Sequence, residues 1–125
     1  MVQTDVSQLT TECNEWLQIL RNYREEFQTS KKSLQEICGK TLSKKQLLDV
    51  EHFDNQFHIQ LINIHDLKHS IKVHEKRIEH ESASGEIAEQ NFTLHEELLT
   101  EFLSLENTLQ ELRNEFKAFI SASSC

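Results

Sequence analysis

Of the seven histidines in the chain, six (His52, His58, His65, His69, His74 and His80) fall in one stretch, and His95 stands apart. Near neutral pH an imidazole can ligate a transition metal, move a proton or sit as a neutral polar group. Which of these it does depends on spacing. His65 and His69, at i and i+4, share a helical face and could hold one ion between them, and Asp66 and His69 make an i, i+3 pair. Two ligands on one face do not close a site, so this face reads as solvated. Di-iron bundles use Glu-x-x-His from two helices plus carboxylates from two more, whereas Asp49-x-x-His52 and Asp66-x-x-His69 lie on the same segment and a fourth helix is missing. The hemerythrin-type arrangement, with histidines from several helices, fails for the same reason.

A heptad register sorts the histidines further. His52, His58, His65, His69 and His80 fall on outer positions, whereas His74 falls on the seam and His95 points inward beside Leu94 and Leu98. Counted outward from Ser82–Gly85, an antiparallel hairpin brings His74 and His95 to similar heights. A first helix parallel to the third adds Cys13 and Trp16 to that level. A Cys13–His74–His95 layer is the result. Three mixed ligands with no carboxylate read behind them do not form a recognised metal pattern. The expectation is an inward polar layer that fixes register; if its histidines are buried without an acidic partner, their folded pKa values lie below the unfolded ones. A metal-binding or metal-sensing bundle is the alternative, with His65 and His69, or Cys13, His74 and His95, as ligands. No other cofactor is expected. No glycine-rich phosphate loop, Ser/His/Asp arrangement or nucleophile elbow is present, so no enzyme is expected.

The elements that position these groups follow from the breakers and the periodicity. The 125 residues include no proline and only two glycines, Gly39 and Gly85, so long uninterrupted helices are allowed. Val6, Cys13, Leu20, Phe27 and Leu34 recur every seven residues, with Leu9, Trp16, Tyr23 and Ile37 as the second seam column. Val50, Phe57, Ile64, Ile71 and Ile78 repeat the device beside Phe53, Leu61 and Leu67. Leu98, Leu105, Leu112 and Phe119 do so beside Phe102, Leu109 and Phe116. Such columns predict three helices near 5–38, 44–82 and 86–120, packed as an all-α, antiparallel up-down-up bundle in one domain spanning 1–125. Phe57 and Leu105 are expected in its core. Gly39 reads as a C-cap, Asp5 and Gln8 as a weak start to the first helix, and Ser43 with Gln46 as a capping box. Leu42 and Leu47 are spaced as a staple, and Glu86 and Glu89 favour the start of the third helix.

Thirteen basic and 21 acidic residues give a net charge of −8, which argues against nucleic acid. The charge is uneven: 4 basic and 6 acidic residues in 1–38, 7 and 7 in 39–85, 2 and 8 in 86–125. No secretory leader or membrane-spanning run is read, and three cysteines without a CxxC give no disulfide framework, so a cytoplasmic protein is expected. Ile59, Ile62 and Val73 lie off the main stripe of the second helix and form an apolar ridge there. Leu99, Leu103 and Ile120 do so more weakly on the third. Such surplus predicts burial against something else, a protein partner or a second copy through the second helix, in a non-enzymatic interaction or oligomerisation module.

Trp16-Leu17 in the first of three heptad helices is similar to the spectrin-repeat pattern, which implies the architecture alone. Val50-Glu51-His52-Phe53-Asp54-Asn55-Gln56-Phe57, followed by Asp66-Leu67-Lys68-His69, resembles a small uncharacterised helical family of Bacteroidetes-type bacteria. That likeness covers the middle third and implies no activity.

Overall fold

A computed structural model describes residues 2–38, 42–83 and 85–123, and the side chains of 6–36, 42–83 and 85–122. Three helices, α1 (Val2–Cys38), α2 (Lys44–Ala83) and α3 (Glu89–Ser123), form an all-α bundle with no strand among the described residues. At ~1.5 Å rise per residue each is roughly 50–60 Å long. No isolated helix of this kind is secured by propensity alone; the buried stripe holds it. α1 and α2 pack most extensively, α2 and α3 less, and α1 and α3 least, so the α1/α3 side is the most open.

The heptad columns become the core. Cys13, Leu20, Phe27, Leu34, Phe57, Ile64, Ile71, Ile78 and Leu109 are almost wholly excluded from solvent. Leu105, expected beside them, is only half-buried. It lines a shallow groove with Asn63, Leu67 and Ser70, because the α2/α3 seam opens there. Ile120, expected on an outer surface, instead packs half-buried against the core. Gln60 and Lys68 are buried although polar, and neither was anticipated. Lys68 occupies the flank of α2 turned to α1; burial first, then Arg24, Lys72 and Arg21, hold its ammonium below the usual lysine range.

Helix ends follow capping chemistry with two shifts. At the start of α2 the Gln46 N–H donates to Ser43 Oγ (3.2 Å) and the Ser43 N–H donates to Gln46 Oε1 (2.8 Å), so the capping box forms. α1 begins at Val2, which leaves Asp5 inside the helix rather than at its start. Gly39 lies outside the described residues. α3 starts at Glu89 instead of 86 because its cap comes from another helix. The Glu81 carboxylate of α2 accepts from the Ala88 N–H and from Asn91 Nδ2, both at 2.7 Å. These bonds hold Glu81 below the usual carboxylate range. Gly85 turns the chain at φ 89°, a left-handed conformation that disfavours any side chain.

Candidate functional site

Each helix sends one chemically capable side chain into the same layer near the α2–α3 turn. Cys13 comes from α1, His74 from α2 and His95 from α3; all three are buried. They meet because each lies on a seam-facing position of its helix and the antiparallel turn sets their heights equal. One donor atom from each lies within 4.8 Å of the other two. The expected layer therefore exists as a geometric unit.

Its hydrogen bonds fix the direction of the protons. A carboxylate oxygen can only accept, so His95 donates Nε2–H to Glu12 Oε1 at 2.8 Å. That leaves His95 Nδ1 to accept, and His74 donates Nε2–H to it at 2.9 Å. A neutral His74 then carries a bare Nδ1, and this atom is buried with no hydrogen-bond partner among the described residues. The Oε2 of neighbouring Glu75 is buried in the same unpartnered way. The Trp16 ring covers His95 at 4.7 Å between centroids and backs onto Phe102 at 5.9 Å, closing the layer on one side.

The electrostatics match this geometry. Burial, then His95 and Arg77, push the His74 imidazole down from 6.5 to about 4. Burial, then Glu75 and Glu12, push the Cys13 thiol up to about 12, so it is protonated and unreactive at neutral pH. Burial and Glu79 raise the Glu75 carboxyl. A groove of about 630 Å³ between α2 and α3 reaches His74, with Val73, Arg77, Glu97 and Glu101 along it.

The reading of three ligands with no carboxylate behind them is overturned, and the condition of burial without an acidic partner is not met by His95: Glu12 holds it directly. Glu12 precedes Cys13 and flanks the seam on the side of α1 turned to α3. A register extended to the flanking positions would have found it, as it would Glu75 beside His74. The outer histidines His52, His58, His65, His69 and His80 are exposed, and the His65–His69 pair gains no third ligand among the described residues.

The second candidate is a surface. Ile59, Ile62 and Val73 are 46%, 47% and 36% exposed on the side of α2 turned away from its seam. Leu99 and Leu103 are exposed on α3, beside Phe92, which the register did not single out. No described helix is long and apolar enough to cross a membrane. No protein-family model matches the chain, and neither a curated protein nor a solved structure matches it. The class, an all-α three-helix bundle, therefore rests on its own geometry.

Proposed function

We propose that the chain is a non-enzymatic helical interaction module that self-associates through α2. The observation that carries this reading is the exposed row of Ile59, Ile62 and Val73, three large aliphatic side chains on one helix face. Charge favours a second copy as the occupant. Residues 39–85 are neutral within a chain of net charge −8, so α2 is where two copies approach with the least like-charge repulsion. A symmetric contact between two α2 ridges presents the same apolar row from both sides.

Ile59→Lys combined with Ile62→Lys tests the reading by sedimentation. Lysine suits a solvated face and cannot be buried unpaired. The parent chain is expected to sediment as a dimer, and the double variant as a monomer of unchanged helicity. A parent chain that stays monomeric across the accessible concentration range overturns self-association. Loss of a different bound protein in the variant would replace the second copy with a heterologous partner.

A further inference from the structure

We propose that Cys13, His74 and His95 form a binding site for one thiolate-accepting transition-metal ion, with zinc(II) as the reference ion. Thiolate and imidazole are the donors that borderline and soft ions such as zinc select, and one donor per helix surrounds a point inside the bundle. A tetrahedral zinc with Zn–S near 2.3 Å and Zn–N near 2.0–2.1 Å sets its donors roughly 3.3–3.7 Å apart. The present donors range from a 2.9 Å imidazole pair to a limit of 4.8 Å, so side-chain rotation closes the difference.

Two further observations bear on a cation. Glu12 accepts the Nε2–H of His95, which leaves Nδ1 bare and orients the ring, the carboxylate–histidine support that metal-ligating imidazoles recurrently have. The His74 ring is 1% exposed and meets His95 through Nε2 alone, so its unpartnered Nδ1 is free to take the ring proton when Nε2 turns to an ion. Solvent or Glu75 fills the fourth position. The α2/α3 groove that reaches His74 has Glu97 and Glu101 along it and gives the ion a way in.

Binding replaces the His74–His95 hydrogen bond with two metal–nitrogen bonds. The His74 proton moves to Nδ1, and the Cys13 S–H proton leaves to solvent as the metal–sulfur bond forms. Neither step involves an oxidant or reductant. The ion would tie α1 to α3, the pair that packs least, through His95 and Cys13.

The test uses the full, untagged chain with Cys38 and Cys125 replaced by serine, so that Cys13 is the only thiol. Titration with zinc(II) is expected to give one ion per chain and a raised Tm. Cobalt(II) is expected to show a thiolate-to-metal charge-transfer band and the strong visible bands of a tetrahedral ion. Cys13→Ser should abolish the charge-transfer band. Glu12→Gln should weaken binding by about 10–100-fold while leaving the band. His65→Ala with His69→Ala should change neither. Binding that is lost in the His65/His69 variant and kept in Cys13→Ser overturns the proposal. So does a parent chain that binds cobalt without a charge-transfer band, a result that requires no variant to fold.

Discussion

At the end of the bundle where α2 begins, Phe27, Phe53, Phe57, Phe116 and Phe119 close the seam with rings from all three helices. Phe57 meets Phe116 edge-on at 4.9 Å and Phe27 at 5.2 Å; Phe53 meets Phe119 at 5.1 Å. At the other end, where α2 turns into α3, the same kind of seam position carries a thiol and two imidazoles. The helices and the packing are continuous from one end to the other, yet the two ends solve burial differently. Aromatic rings gain from area alone and tolerate several relative orientations. Imidazoles need partners at hydrogen-bond distance, so a polar layer tolerates fewer arrangements than an aromatic one. The first end is held by buried aromatic area, the second by the geometry of a few polar partners.

The largest effect is expected where the rings interlock. Phe57→Ala should cost ~3–5 kcal/mol, read as a shift of the denaturation midpoint without loss of cooperativity. A cost below ~1.5 kcal/mol, the range of a tolerated volume-conserving swap, would erase the contrast between the ends.

The polar end should announce itself through acid. In the metal-free protein His74 titrates near 4 when folded against 6.5 as an unperturbed histidine. Between these values the unfolded chain holds the extra proton. The contribution of neutral His74 is therefore complete above about 6.5, is lost as the pH falls toward 4, and changes no further below that. At 1.36 kcal/mol per unit this amounts to roughly 3 kcal/mol at most. His95, Glu12, Cys13, Arg77 and Glu75 face the same layer and set its background. His74→Leu should flatten the stability profile between pH 6.5 and 4.5, measured by urea denaturation with a chelator present. A profile as steep as the parent's would locate the acid sensitivity elsewhere.

Between the ends, Leu105 and Leu109 calibrate the seam. Leu109 is fully buried and Leu105 is not, so Leu105→Ala should cost under ~2 kcal/mol and Leu109→Ala clearly more. Equal costs in a monomeric background would mean the groove beside Leu105 is closed in solution.

The smallest effect is expected at the rim of the aromatic end. There Arg113 forms a bidentate pair with Glu26 at 2.7 and 2.8 Å and lies over the Tyr23 ring at 4.7 Å. Both charged side chains keep about a third of their surface in solvent (31% and 38%), so Arg113→Gln should cost no more than ~1 kcal/mol and less at high salt. A salt-insensitive loss well above that would show the pair to be part of the core.

The sequence by itself determined the helix count, their approximate spans and which residues face inward, because a period of seven is a local property that each helix expresses alone. It also put Cys13, His74 and His95 at one height, since helix rise and a short turn convert residue number into distance. Ser43 and Gln46 were legible as a cap for the same reason: both partners lie in one turn. The tertiary structure decided the groups that depend on a neighbour's flank. Glu81 caps α3 from α2 and delays its start to Glu89. Glu12 reaches His95 across the α1/α3 interface, a pairing separated by 83 positions in the chain. Leu105 loses its expected burial where the seam widens, while Lys68 gains burial on the α2 flank turned to α1. Periodicity specifies which face of a helix turns inward. The tilt and spacing of whole helices decide how near two flanking side chains come, and those are properties of the packed bundle rather than of any one strand of sequence.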